Sequence, residues 1–312
     1  MAASGGRSRP PRRRVDGVLL LDKPAGLSSN AALQRAKHLY AAEKAGHTGT
    51  LDPLATGLLP LCFGDATKFA QTLLDAPKEY VATVRFGVKT TTGDAEGEPV
   101  RTCGVAFSRA ELESALTRFV GPTVQIPPAF AALKFRGRNY YEYARAGVDI
   151  PRVPRPIEIA AIELIDWAPP IAVLRIASGK GTYIRVLAED IAAALSSCAH
   201  LGALRRTVSG PFSLAGAVTM EALQALDGPA RDSLLLPSDA PLSGVARLDV
   251  DAPTALALAQ GKAGTAPVEA EGTFRCYGPM GRFVGLVEAE GGALRSLRLA
   301  RTDAPSGKAL ES

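Results

Sequence analysis

A chain of 312 residues, 46% hydrophobic and 21% charged, is long enough for a large core plus a smaller second unit, and its composition is globular. The formal charge of +5 is concentrated in an N-terminal run containing Arg7, Arg12, Arg13 and Arg14, so overall charge says little about nucleic acid and local clusters must carry that argument. No stretch approaches the roughly 20 apolar residues of a membrane span, and Cys62, Cys103, Cys198 and Cys276 are widely spaced behind no secretory leader, which argues against disulfides or a zinc finger and for a reduced, cytoplasmic setting.

Residues 1–14, rich in Gly, Ser, Pro and Arg, have almost nothing to bury and read as a disordered tail. The fold should begin near Val15, with Gly17 to Leu21 as a buried strand. Ser28-Ser29-Asn30 offers an N-cap for a helix using Leu33, Ala36, Leu39 and Tyr40, which Gly46 is expected to end. Tyr80, Ala82, Val84 and Phe86 alternate with Val81, Thr83 and Arg85, the period of a strand. Ser108-x-x-Glu111 is a capping box ahead of Leu112, Leu116 and Phe119, so a helix is expected before Gly121-Pro122. Residues 157–165 and 171–177 read as strands, and Thr182 as the cap of a helix holding Ile184, Leu187, Ala188, Ile191 and Leu195. Strands and helices in no regular βαβ rhythm predict an α+β fold. Pro237, Pro241, Ser243 and Gly244 mark a linker near residue 240, and short β-like runs beyond it predict a small β-rich unit.

The densest run of turn-formers surrounds one carboxylate and one imidazole: Gly46-His47-Thr48-Gly49-Thr50-Leu51-Asp52-Pro53-Leu54-Ala55-Thr56-Gly57. Pro53 fixes its own φ and pushes Asp52 out of the helical region. Spacing alone allows an ordinary turn. Between Lys134 and Arg155, Lys134, Arg136, Arg138, Arg145, Arg152 and Arg155 outnumber Glu142 and Asp149, with Phe135, Tyr140, Tyr141 and Tyr143 interleaved. Guanidinium groups beside aromatic faces suit phosphates and unstacked bases; a solvated face with core-capping tyrosines is the alternative. The histidines His38, His47 and His200 do not make a metal triad by spacing. Ser178-Gly179-Lys180-Gly181-Thr182 lacks the phosphate-loop pattern, having Leu174 where its first glycine belongs, so no nucleotide cofactor is expected.

The Gly46–Gly57 run resembles the catalytic motif of the TruB family of tRNA pseudouridine synthases. The likeness continues through Leu58-Leu59-Pro60, Gly64-Asp65-Ala66-Thr67-Lys68-Phe69, Lys78-Glu79-Tyr80, Ser178 to Arg185 and Leu204-Arg205-Arg206. It implies a mixed, mainly antiparallel sheet with flanking helices over residues 15–240 and a PUA-like RNA-binding unit over 245–305, although basic and acidic residues balance from Ser243 onward. It implies isomerisation of the T-loop uridine at tRNA position 55, without cofactor or metal, on a T-arm stem-loop, with a tRNA-folding chaperone as the alternative and a monomer as the default. Asp52 would be the nucleophile, Arg185 its partner, Tyr80 the ring beneath the base and the group implicated in proton removal. Tyr183 and Leu204 would complete the pocket, and His47 would hold the extruded RNA loop. An Arg in the first turn of a helix meets an unfavourable dipole, which points Arg185 to an external anion; a contact with Glu189 is the local alternative. That anion pair is expected to hold the Asp52 carboxyl low.

Overall fold

The computed structural model describes residues 12–266 and 271–301. In chain order the elements are β1 (Gly17–Lys23), α1 (Ser29–Leu39), β2 (Ala45–His47), β3 (Thr56–Phe63), α2 (Ala70–Asp75), β4 (Lys78–Phe86), β5 (Val88–Thr90), β6 (Pro99–Thr102), α3 (Arg109–Thr117) and β7 (Gly121–Gln125). There follow β8 (Lys134–Phe135), β9 (Arg138–Asn139), α4 (Tyr140–Arg145), β10 (Arg155–Ala168), β11 (Ile171–Ser178), α5 (Ile184–Ala194), β12 (Ala199–Ser209), β13 (Phe212–Ser213), β14 (Val218–Thr219), α6 (Met220–Ala225) and α7 (Gly228–Asp232). The C-terminal part holds β15 (Arg247–Asp249), α8 (Ala252–Ala259), β16 (Gly264–Thr265), β17 (Gly272–Gly278), β18 (Arg282–Glu290) and β19 (Ala293–Leu299). Among the described residues no helix is long and apolar enough to cross a membrane.

The main sheet runs β14-β1-β3-β12-β4-β11-β10-β7. Its ladders are antiparallel except β1/β14 and β3/β12, so the α+β expectation holds. The run Gly17 to Leu21 is uniformly apolar because both faces of β1 are covered. Leu19 and Leu21 join the large core under α1, α3, α5 and α6, while Val18 and Leu20 pack with Leu58, Cys62, Leu73 and Phe212 on the other side. A strand covered on both faces loses the alternation that a half-exposed strand shows. β4, by contrast, keeps it, with Ala82, Val84 and Phe86 buried and Arg85 exposed.

The Ser28 cap and the Ser108/Glu111 capping box form as expected. Four expectations are corrected. α1 ends at Leu39, not Gly46: Ala41 takes a left-handed φ of 49°, its N–H and that of Ala42 close the turn on the carbonyls of His38 and Lys37, and Gly46 pairs with Cys62 inside β2/β3. The helix N-cap position at α5 belongs to Tyr183; the Thr182 hydroxyl turns back to donate to the Gly179 carbonyl. Of the tail, residues 1–11 lie outside the described residues, but Arg13 is held in place, its Nε donating to the Tyr40 carbonyl and its guanidinium pairing with Asp232. Finally, Cys103 and Cys198 form a disulfide, Cα atoms 5.7 Å apart, while Cys62 and Cys276 are free and buried. Spacing misled here because the β5–β6 hairpin folds back onto the start of β12, Gly87 bridging the two through Cys198 O and Cys103 N.

The second sheet, β15-β17-β18-β19-β16, has its own small core of Leu258, Cys276, Val284, Val287, Ala289 and Leu294. It is the expected C-terminal β-rich domain.

Candidate active site

The β3/β12 ladder is only two pairs long, Arg205↔Thr56 and Arg206↔Gly57, and the segment from Thr48 to Ala55 leads into it from β2. This segment is fastened along its length. The Ser29 hydroxyl donates to the Leu51 carbonyl (3.0 Å) and accepts from the Leu51 N–H (2.7 Å). Pro53 O accepts from Gly26 N–H at 2.8 Å and from the Lys23 ammonium at 3.4 Å, and the Ala55 N–H closes a turn on Asp52 O. Lys23 is fully buried, its ammonium also satisfied by the carbonyls of Pro24 and Leu27. Burial pulls that ammonium down to about 8, with Asp52 acting in the opposite direction.

Asp52 projects into a cleft of 390 Å³ whose wall includes Tyr80, Tyr183, Arg185, Leu204 and Arg206, a volume in the range of about 300–1,000 Å³ found for small-ligand pockets. Arg185 Nε stands 3.0 Å from Asp52 Oδ2 and 3.6 Å from Asp94 Oδ2. The remaining guanidinium nitrogens donate to the carbonyls of Thr92 and Phe130, each at 2.8 Å. Arg185 is 6% exposed and the Asp52 side chain 42%, so the cation is fixed in the wall and the carboxylate is the member that faces an incoming group. Glu189 does not compete for Arg185; it pairs with Lys89.

Burial pushes the Asp52 carboxyl above the usual carboxylate range, Arg185 opposes that, and Asp94 reinforces it. The expectation of a carboxyl held low is therefore corrected: one guanidinium shared between two carboxylates does not outweigh desolvation. Tyr183 is held by its backbone, its N–H donating to Gln125 Oε1 and its carbonyl accepting from Gln125 Nε2; burial raises its phenol. Leu204 is 9% exposed and supplies an apolar wall. His47 lies on β2, half-buried, and is not part of the cleft lining. Its Nδ1 is buried without a hydrogen-bond partner, and burial together with Arg206 keeps the ring below its ordinary value.

Sequence reasoning missed Asp94, Lys78, Lys23 and Arg206. Lys78 sits in the cleft wall, its ammonium donating to the carbonyls of Leu73, Leu74 and Ala76 and brought down to about 8 by burial and by Arg206. Two of these four, Lys78 and Arg206, stand in stretches to which the sequence already drew attention, beside Tyr80 and Leu204. Asp94 had no local signal. The basic and aromatic stretch folds as the β8–β9 hairpin and α4, entered through Ala131, Ala132 and Leu133 of the cleft wall. Arg136 stacks over Phe135 and Arg145 over Tyr141, each 5.3 Å from the ring centroid.

Residues 37–184 match the N-terminal domain of the TruB family pseudouridylate synthases, and residues 185–243 match the tRNA pseudouridylate synthase B C-terminal domain. A tRNA pseudouridine synthase B of Thiobacillus denitrificans is 51% identical over 294 residues, covering 94% of this chain and 99% of that one. The same enzyme name belongs to a Burkholderia mallei protein 51% identical over 305 residues, covering 96% and 98%. In three dimensions the chain resembles the structure of an H/ACA RNP bound to a substrate RNA containing 2'-deoxyuridine, with a TM-score of 0.69 at 21% identity over 96% of this chain and 93% of that one. With likeness running through nearly the whole length of both relatives, the chain belongs to the TruB family of pseudouridylate synthases.

Proposed function

We infer that the chain is a tRNA pseudouridine synthase that isomerises the uridine at position 55 of the T-loop. The observation that carries the assignment of roles is the Asp52–Arg185 pair, 3.0 Å apart, with the carboxylate turned to the cleft. Isomerisation breaks the bond between ribose C1′ and uracil N1, turns the base, joins C1′ to C5 and transfers a proton from C5 to N1. No atom is gained and no electron is lost. A carboxylate suits the first step as nucleophile, and Arg185 steadies its charge. Tyr80 and Leu204 bound the base, Tyr183 closes the opposite side, and His47, behind the cleft wall, is read as a holder of the RNA loop.

A uridine inside a folded loop must leave its stack, at a cost of roughly a few kcal/mol. The exposed Lys134, Arg136, Arg138 and Arg145 are the groups that offset it by meeting phosphates. The reading takes residues 15–240 as the catalytic unit, 245–305 as an RNA-binding appendage, the T-arm as the recognised element and a monomer as the acting form. Its test is incubation of wild type and Asp52→Asn with unmodified tRNA transcript, followed by nucleoside analysis and site mapping. Pseudouridine at the T-loop uridine with wild type alone is expected; tight binding with no pseudouridine from either protein would leave an RNA-folding protein instead.

A further inference from the structure

Arg206 heads the fully buried side chains by size and is 1% exposed, yet it belongs to the cleft wall. Its Nε donates to Leu58 O at 2.7 Å and one terminal nitrogen to Gly49 O at 3.2 Å. It stands directly opposite Tyr80 in the β12/β4 ladder, both residues line the same cleft, and its charge couples to the Tyr80 phenol. The ladder slips one residue later, between Arg206 and Val208, a bulge of the kind that re-aims side chains beside sites. Among the described residues no carboxylate pairs with Arg206. The titratable groups that sense its charge are Lys23, Lys78 and His47, all bases that it pushes toward neutrality. Asp52, Tyr183 and Arg185 complete the charged and titratable lining.

A buried cation without a counter-ion is costly, and it favours negative charge in whatever it touches. A guanidinium carries only donors. Toward the neighbouring Tyr80 oxygen it can therefore act only as a donor, and negative charge that develops on that oxygen during reaction would be met by a charge-assisted hydrogen bond.

We propose that Arg206 is a positioning residue that prepares Tyr80 to take the C5 proton during uridine isomerisation. The proposal rests on the isomerase reading. In the step concerned, the C5–H bond breaks after C1′ has joined C5. The proton goes to the Tyr80 phenolate, giving the phenol, and the electron pair of the broken bond restores the C5–C6 double bond. N1, which lost its bond to C1′, takes a proton from solvent, and the phenol returns one to solvent.

The test is single-turnover pseudouridine formation on tRNA transcript across pH 6 to 10 with wild type, Arg206→Gln and Arg206→Lys, with tRNA affinity measured on the same proteins. Arg206→Gln is expected to lower the rate constant by about 100-fold, the scale of lost general-base assistance, with tRNA affinity within about threefold of wild type. The rate of this variant should recover only at higher pH, its rise displaced upward by about one pH unit or more, and Arg206→Lys should restore at least about tenfold by returning a cation. A loss equal at every pH and not relieved by Lys would overturn the proposal in favour of a staple for the Gly49 backbone. So would a loss in tRNA affinity with the rate constant intact. If Arg206→Gln does not fold, the Arg206→Lys profile decides alone, since a weaker, non-planar donor must still displace the pH rise. Failure of wild type to form pseudouridine at all would sink the isomerase reading rather than this one.

Discussion

At the scale of single residues, the cleft sets one cation between two carboxylates. Arg185 reaches Asp52 at 3.0 Å and Asp94 at 3.6 Å, and Asp94 raises the Asp52 carboxyl while Arg185 lowers it. Asp94→Asn should therefore let Asp52 ionise at lower pH, moving the acidic limb of the pH–rate profile downward, and Arg185→Met should move it upward with a loss of about 100-fold or more at neutral pH. An acidic limb unmoved in both variants would mean that Asp52 does not govern it. The same residue carries a stability consequence. Its folded carboxyl binds a proton more tightly than an unfolded one, so ionisation opposes folding. That cost is absent below the unfolded value and is fully felt once pH passes the raised folded value. Asp52→Asn is expected to melt at a higher temperature than wild type at pH 7 to 8, with the gap closing as pH falls through the carboxylate range; Arg185 keeps Asp94, Thr92 O and Phe130 O in the variant. A variant that melts lower at neutral pH would show that the ion pair outweighs burial.

At the scale of elements, precision comes from how loops are fastened to strands. Lys23 is the last residue of β1, and its ammonium holds the carbonyls of Pro24, Leu27 and Pro53. Lys23→Met removes these bonds from a dry environment and should cost about 1–3 kcal/mol in urea unfolding, with faster hydrogen exchange across residues 48–55. Because the folded ammonium titrates near 8 against an ordinary 10.5, charge on it opposes folding, and wild-type stability from this group rises as pH climbs from about 8 to 10.5. The difference between wild type and Lys23→Met should widen over that window. The disulfide is a second fastening: it closes a span of 95 residues, which in the chain-entropy view is worth roughly 4.7 kcal/mol. Thiol titration should find no reactive cysteine in the folded protein and two, Cys62 and Cys276, after unfolding without reductant; four would contradict the pairing. What was legible in the sequence follows the same division. The alternation of β4, the Ser28 cap and the Ser108/Glu111 box are local, and they were readable. The Arg206↔Tyr80 and Arg206↔Gly57 pairings, the Cys103–Cys198 bond and the Asp94–Arg185 contact join residues scores of positions apart. Only the register of the sheet creates them. Asp52, Tyr80, Tyr183, Leu204 and Arg185 were found through resemblance, and the cleft does gather them; His47 stands outside its lining.

At the scale of the molecule, the segment Gly64 to Phe69 seats the C-terminal domain against the main sheet. Lys68 donates to Leu299 O at 3.0 Å, Asp65 meets Lys68 and Arg301, and Phe69 packs edge-on to Phe283 at 5.4 Å. A stretch that counted toward the resemblance thus serves assembly of the two sheets. Beside the cleft the charge is local: Lys134, Arg136, Arg138 and Arg145 are exposed on the β8–β9 hairpin and α4, next to the wall formed by Ala131 to Leu133. Neutralising a side chain that meets a phosphate releases fewer counterions on binding, so both affinity and its salt dependence fall together. The double variant Arg136→Gln/Arg138→Gln is expected to bind tRNA about tenfold more weakly at moderate salt and to make the slope of log affinity against log salt shallower by about 1 for each phosphate left unmet. Its rate constant at saturating tRNA should stay within about threefold of wild type, because neither residue lines the cleft and neither acts on the reacting bonds. Affinity titrations from low to moderate salt decide the matter: an unchanged slope would move the phosphate-binding role elsewhere, and a fall in the saturated rate constant would assign the hairpin to placing the uridine rather than holding the arm.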